Sequence, residues 1–367
     1  MATVALRRAV ADRCTRLRAR LGEGGIDALL VTYPVDVRYL SGFTGEDSWL
    51  LVGKGKGWVL TDSRFAEEVE RDCPDFASTI RRGSLVEALG KAVRRKRVGR
   101  LAYDPSQVSV ALLARLRREL KGVRLMRLAG AASDLRVCKD RLEVRAVRRA
   151  VRTAETAWRA FRKRIRLGMT EQALAGELEF QMRKAGAEGP AFPSIVAINA
   201  HAARPHAKPG GRQLKRGSVL LTDFGARVDG YVSDLTRVLF AHRIPPRARE
   251  VYEVVHAAQS AGIAAIGPGA RLADVDAAAR SVIDEAGYGK RFRHGLGHGI
   301  GLEVHESPRL ASRGVKGTLE PGMIVTVEPG IYLRGRFGIR LEDDVLVTET
   351  GRSVLSCLPT DPDDVVL

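Results

Sequence analysis

The chain has 367 residues, 45% hydrophobic and 28% charged, with 61 Lys+Arg against 43 Asp+Glu for a formal net charge of +18. That length predicts two domains with real cores, and the composition excludes a disordered chain, while no apolar run is long enough to span a bilayer. The basic excess is spread along the chain without interleaved aromatic residues or an RNA-binding signature, so it describes a solvated, arginine-biased surface and argues against a nucleic-acid platform. Cys14, Cys73, Cys138 and Cys357 lie far apart with no CxxC pair, which disfavours zinc-finger and disulfide frameworks and fits a reducing cytoplasm. The opening MATVALRRAVADRC has Arg7 and Arg8 inside its short apolar start and is not expected to act as a signal peptide.

In chain order, residues 2–22 read as an amphipathic helix closed by Gly24-Gly25, and Ile26 to Val31 as a buried strand. Ser48–Val52 and Trp58–Thr61 flank a GKGKG turn and form a hairpin. Helices over 63–71, 84–97 and 106–120 then alternate with strands over 98–103 and 123–128, which predicts an α/β domain with a mixed sheet over residues 1–133. Ser133 or Asp134 is expected to cap a long helix running to Leu167, the leading helix of a second domain over 134–367. Val144, Val147, Val151, Trp158, Phe161 and Ile165 form its apolar stripe, and Arg141, Arg145, Arg148, Arg152 and Arg159 its solvated flank.

Two equally long segments, Gly168–Gly186 and Gly269–Gly287, each end in Ala-Gly and read as helices. Each precedes a β-rich stretch with two acids, Asp223 with Asp234 and then Glu328 with Glu342. The second domain is therefore expected to be α+β with two similar halves, each giving one carboxylate pair.

Asp229-Gly230 joins the strands Ser218–Ala226 and Tyr231–Phe240 as a two-residue hairpin turn. With that turn Asp223 lies opposite Thr236, and Asp223 and Asp234 become diagonal neighbours on one face, roughly 7 to 8 Å apart between Cα atoms. Carboxylates so close repel unless a cation lies between them or one is protonated. On an expected strand over 338–347, alternation puts Arg340, Glu342 and Asp344 on one face. The stretch HGLGHGIGLEVHE sets His294, His298 and His305 among four glycines, a density of imidazole and permissive backbone suited to chemistry. Asp223, Asp234, Glu328 and Glu342 with His298 would make a five-ligand set whose charge suits two divalent ions. Its oxygen-rich character favours manganese, with cobalt or zinc as alternatives.

The segments FPSIVAINAHAARPHAKP, LLTDFGARVDGYVSDLTR, HGLGHGIGLEVHESPRL, MIVTVEPGIY and GIRLEDDVLVT resemble the successive signatures of the pita-bread metallopeptidases, in the Xaa-Pro aminopeptidase and prolidase branch. YLSGFTG at 39–45 resembles the creatinase-type domain that precedes the catalytic one. The resemblance implies metal ligation by Asp223, Asp234, His298, Glu328 and Glu342, with Asp234 bridging. Glu328 would also accept a proton, while His206, His305 and Arg340 would hold substrate and stabilise the tetrahedral intermediate, and His294 would line the pocket. The implied reaction is attack of a hydroxide held between two cations on the bond preceding proline. His201, His242 and His256 match no motif position and are expected to be ordinary surface or packing residues.

The expected activity is thus a cytoplasmic, dinuclear Xaa-Pro aminopeptidase acting on peptides and assembled as a homodimer or larger homo-oligomer. Its rivals are an Xaa-Pro dipeptidase and, more remotely, a non-catalytic binding protein of the same fold.

Overall fold

A computed structural model describes residues 3–367, which fall into one compact unit ending at Arg136 and a second running from Val137 to Leu367. The expected start of the first helix at Ala2 lies outside the described residues. Helix α1 (Val4–Glu23) is capped by Thr3, whose hydroxyl accepts from Leu6 N–H, and its i, i+3/i+4 spaced Val10, Cys14, Leu17 and Leu21 are buried. It is followed by β1 (Ala28–Val31), α2 (Pro34–Ser41), β2 (Trp49–Gly53), β3 (Trp58–Asp62), α3 (Ala66–Asp72) and β4 (Ala77–Arg81). The unit closes with α4 (Leu85–Lys96), β5 (Arg100–Tyr103), α5 (Val110–Glu119) and β6 (Arg124–Arg127).

The six strands form one sheet in the order β4-β3-β2-β1-β5-β6, with β1–β2 and β2–β3 antiparallel and the other pairs parallel, the mixed sheet expected. Two elements escaped the sequence reading. α2 begins at a proline and carries Val35 and Val37, residues of weak helix propensity, and β4 shows no buried position from which a pattern could be read.

The second unit opens with α6 (Arg141–Arg162), later and shorter than expected. Asp140, not Ser133 or Asp134, is the cap: its carboxylate accepts from Leu142 and Glu143 N–H while Glu143 reaches back to Asp140 N–H, a reciprocal capping box. Ser133–Arg136 makes only a single tight turn. Upstream of the cap, Cys138 bridges to Met323 and Lys139 N–H bonds to the Gly322 carbonyl, which keeps this stretch extended. The apolar stripe is buried from Val147 to Phe161, and Phe161→Ala would cost about 3–5 kcal/mol through the cavity it leaves.

In the first half follow α7 (Glu171–Lys184), β7 (Gly189–Pro190), β8 (Ile195–Ile198), β9 (Val219–Phe224), β10 (Ala226–Val228), β11 (Tyr231–Val232) and β12 (Leu235–Phe240). The second half holds α8 (Pro246–Ala264), α9 (Leu272–Glu285), β13 (Gly297–Gly299), β14 (Glu306–Leu310) and β15 (Ile324–Val327). It ends with β16 (Gly330–Leu333), β17 (Phe337–Arg340), β18 (Asp343–Val347) and β19 (Arg352–Val354). Each half pairs two helices, α6 with α7 and α8 with α9, against an antiparallel sheet, β12-β9-β8 in one and β14-β13-β15-β18-β19 in the other. This is the internal repeat seen in the sequence. α7 and α9 have equal length and sit 101 residues apart at both ends (171 to 272, 184 to 285).

The single strand expected over 338–347 is instead two strands in different sheets. β17 pairs with β16, and β18 with β15 and β19. The break falls at Leu341–Glu342 because Glu342 N–H is given to the Thr236 carbonyl of the other half (3.2 Å), stitching the two halves along one seam.

Candidate metal centre

The first carboxylate pair is set by the Asp229-Gly230 turn, both residues with positive φ (47° and 72°), a conformation that aspartate tolerates and glycine adopts freely. The register that follows is the one the turn dictates, Val228 opposite Tyr231, Arg227 opposite Val232 and Asp223 opposite Thr236. Asp223 is the penultimate residue of the buried strand β9, and Asp234 lies just before β12.

The second pair comes from the other side of the seam. Thr236 Oγ1 donates to Glu342 Oε2 (2.7 Å), and Asp234 N–H donates to Asp344 Oδ2 (3.1 Å), so the two halves are laced through the acids themselves. Arg340 Nε donates to Thr236 Oγ1 (3.0 Å) and its Nη2 pairs with Asp223 Oδ2 (2.5 Å).

His298 is carried by β13. At Gly297 a Cβ would collide with the Thr326 carbonyl, so glycine is what lets β13 approach β15 closely. His298 Nδ1 lies 3.0 Å from the Gly299 carbonyl, which can only accept, so Nδ1 carries the proton. Burial also pushes the His298 pKa down to about 4 against the support of that backbone bond. The ring is therefore neutral and presents a bare Nε2, 3.4 Å from Glu328 Oε1 and 3.8 Å from Asp234 Oδ2. This is the tautomer a metal ligand requires.

Four carboxylates share this space with a single guanidinium. Asp234 and Glu342 are pushed well above the usual carboxylate range, first by burial and then by their acidic neighbours. Glu328 is pushed up to about 8 by burial, against the pull of Arg340. Asp223 is raised by burial despite its ion pair with Arg340, and its Oδ1 is buried without a hydrogen-bond partner. Burial works against the charge on Arg340, yet Tyr332, Asp223, Glu342 and Glu328 hold it firmly protonated. Ligand atoms of Asp234, His298 and Glu342 all lie within 4.8 Å of one another. An orphaned carboxylate oxygen, an uncompensated negative charge and an aimed imidazole nitrogen together fit divalent cations and would be costly without them.

All five residues of the expected ligand set thus come together at the seam. Around them, the His305 ring stands 4.3 Å from that of His298 between centroids, in an edge-on arrangement. His294 donates from Nδ1 to the Gly295 carbonyl (2.8 Å), leaving Nε2 to accept from the Tyr332 hydroxyl (2.9 Å), and burial lowers its pKa to about 4. His206 is exposed, and its charge acts on both Asp223 and His294.

His201 is not the ordinary residue expected. Its Nδ1 pairs with Glu171 (2.8 Å), a fully buried carboxylate that also accepts from Ile198 N–H and Gly210 N–H. Glu171 thereby ties down both ends of the loop that carries Pro205-His206. The sequence reading also passed over Tyr332, which accepts from Arg340 Nη1 (2.9 Å) while holding His294, and Thr326, which receives His298 N–H (3.1 Å). Tyr332 and Thr326 both stand inside MIVTVEPGIY, Thr326 two positions before Glu328 and so on its face.

The family model described as Metallopeptidase family M24 matches residues 145–349, and that of the Creatinase/Prolidase N-terminal domain matches residues 13–138. Among solved structures, an Xaa-Pro dipeptidase from Bacillus anthracis superposes with a TM-score of 0.94 at 33% identity, over 98% of this chain and 100% of that one. An X-Pro aminopeptidase from Thermotoga maritima gives 0.88 at 36%, over 92% and 97%. An Xaa-Pro dipeptidase of Pyrococcus furiosus is 31% identical over 94% of this chain and 97% of its own length. With both domains matched and relatives aligned nearly end to end, the chain belongs to metallopeptidase family M24, in the group that carries a creatinase-type amino-terminal domain.

Proposed function

We propose that the protein is a dinuclear Xaa-Pro aminopeptidase, with Asp223, Asp234, His298, Glu328 and Glu342 as ligands of two divalent ions, manganese by preference. The observation that carries this reading is the convergence of four buried carboxylates on one neutral imidazole with its Nε2 bare. When bound, the two cations would polarise the scissile carbonyl and ease deprotonation of the attacking water.

The remaining steps belong to the chain. Asp234, central in the cluster, would help hold the ions, and Glu328 accepts the proton of the attacking water and passes it to the leaving proline nitrogen. His305 and His206 offset charge developing on the carbonyl oxygen. Arg340, held in plane by Thr236, Asp223 and Tyr332, orients the substrate, and His294 lines the pocket as a neutral ring. The functional division of the chain is a creatinase-type domain over 1–133 and a catalytic domain over 134–367. A homodimer or larger homo-oligomer in the cytoplasm, acting on peptides, completes the reading. No helix among the described residues is long and apolar enough to cross a membrane.

A second reading, Xaa-Pro dipeptidase, is favoured by several relatives known under that name, those of Pyrococcus furiosus and Bacillus anthracis among them. The test is to incubate the manganese-loaded protein with Gly-Pro, Gly-Pro-Ala and a longer Xaa-Pro peptide and identify the products. Release of the amino-terminal residue from all three supports the aminopeptidase, and turnover of Gly-Pro alone the dipeptidase.

A further inference from the structure

Beside the carboxylate cluster, within the catalytic unit, lies a cavity of about 580 Å³ whose wall carries Arg204, Arg212, Arg291, Arg293 and Arg334. Five of its eleven lining residues are arginines, against 61 Lys+Arg in 367 residues overall, and none is acidic, so the cavity concentrates positive charge well beyond the chain's general bias. Some exposed arginines elsewhere in the unit have an acidic partner, Arg247 with Glu250, Arg271 with Asp274 and Arg249 with Glu253. Among the described residues no ion pair involves the five arginines of the cavity; Arg293 only donates Nε–H to the Lys290 carbonyl. Like charges gathered around one concavity repel one another, and an anionic occupant relieves that repulsion.

The cavity adjoins the site directly. Tyr332 lines it, and the Tyr332 hydroxyl touches both Arg340 and His294. Arg293 precedes His294, and Pro205 in the wall precedes His206. The site is therefore electrically two-ended, with carboxylates that would hold the cations at one end and guanidinium groups at the other. The guanidinium groups draw the acidic residues of an entering peptide toward the cavity. The volume is that of a small-ligand site, more than one carboxylate fills.

Building on the peptidase reading above, we propose that this cavity is a subsite for acidic residues on the carboxyl side of proline. The preferred substrates are then Xaa-Pro peptides that continue into Asp or Glu. Guanidinium groups suit the task because each meets a carboxylate with two parallel N–H donors.

The test uses two readouts on the full-length protein. The first is kcat/KM of the manganese-loaded enzyme on Ala-Pro-Glu-Glu against Ala-Pro-Gln-Gln. The second is calorimetric binding of the fragments Pro-Glu-Glu and Pro-Gln-Gln, which needs no turnover. The expected preference for the acidic member is about tenfold in each and shrinks as salt is raised. It should fall toward parity in Arg291→Glu/Arg334→Glu, and in the milder Arg291→Gln/Arg334→Gln should the first variant fold poorly. Cleavage of both peptides without acidic preference, or a preference that survives in the variants, overturns the subsite while leaving the peptidase reading in place. Arginine-dependent binding of Pro-Glu-Glu with neither peptide cleaved supports the subsite and removes the aminopeptidase reading. Equal binding of the two fragments overturns the subsite whether or not either peptide is cleaved.

Discussion

Glu342 and Asp343 are consecutive, equally acidic and equally buried, 2% and 6% exposed, yet they face different worlds. Asp343 turns away from the acidic cluster. Its Oδ1 accepts from Arg237 Nη2 (2.6 Å) and from the Ser356 hydroxyl, and its Oδ2 from Gln259 (3.0 Å). Arg237 in turn gives Nη1 to the Glu342 carbonyl (2.7 Å) and Nη2 to that of Leu358 (3.1 Å), so charge is matched one to one and nearly every donor is used. Glu342 turns toward Asp223, Asp234 and Glu328, where one guanidinium serves four carboxylates. The fold treats the first acid as a structural ion pair and leaves the second among its own kind. A buried carboxylate marks a site for chemistry when its neighbours repeat its charge; one that is fully paired marks only architecture.

The comparison breaks most sharply at its charged centres. Asp234→Ala should reduce peptidase activity to background and lower metal content, because water cannot replace a bridging carboxylate without letting the two cations separate. Turnover assays alongside elemental analysis of the purified variant check this. Arg237→Leu should do the reverse. It strands Asp343 in the interior and costs about 3–5 kcal/mol of stability, read from denaturant unfolding, while the folded fraction keeps its full complement of metal.

These two residues also show how far the sequence could be read. Asp234 was legible because the Asp229-Gly230 turn fixes the strand register with no further information, and register decides which face a carboxylate occupies. The repeat of α7 and α9 likewise announced itself through two helices of one length and one ending. The role of Arg237 was not legible. Its partners are 105, 106 and 121 residues away, and nothing local distinguishes it from the many arginines on the surface. The break at Leu341–Glu342 was hidden for the same reason: alternation describes a strand, but only the carbonyl of Thr236 tells it where to change sheets. Glu171 is a first-turn acid of α7, and nothing local in the sequence says that the loop over 199–210 folds back on it.

Two smaller effects sharpen the comparison within the acidic cluster. His305→Ala should retain metal while lowering kcat by roughly 10² to 10³, since it stands at the edge of His298 and is proposed to serve the carbonyl oxygen without ligating. Loss of metal from this variant would merge two roles kept separate above. The smallest expected difference lies between substrates. Gly-Pro-Ala should be cleaved between Gly and Pro with kcat/KM at least equal to that of Gly-Pro, and an inert tripeptide beside an active dipeptide would transfer the assignment to a dipeptidase.

The central claim, that the four mutually repelling carboxylates and His298 form a two-cation site, is tested most directly by titrating chelator-stripped protein with manganese in a calorimeter. The account predicts about two equivalents per chain for the wild type, the same for Arg237→Leu once corrected for its folded fraction, and fewer for Asp234→Ala. Binding of two equivalents by Asp234→Ala, or of none by the wild type, would contradict it.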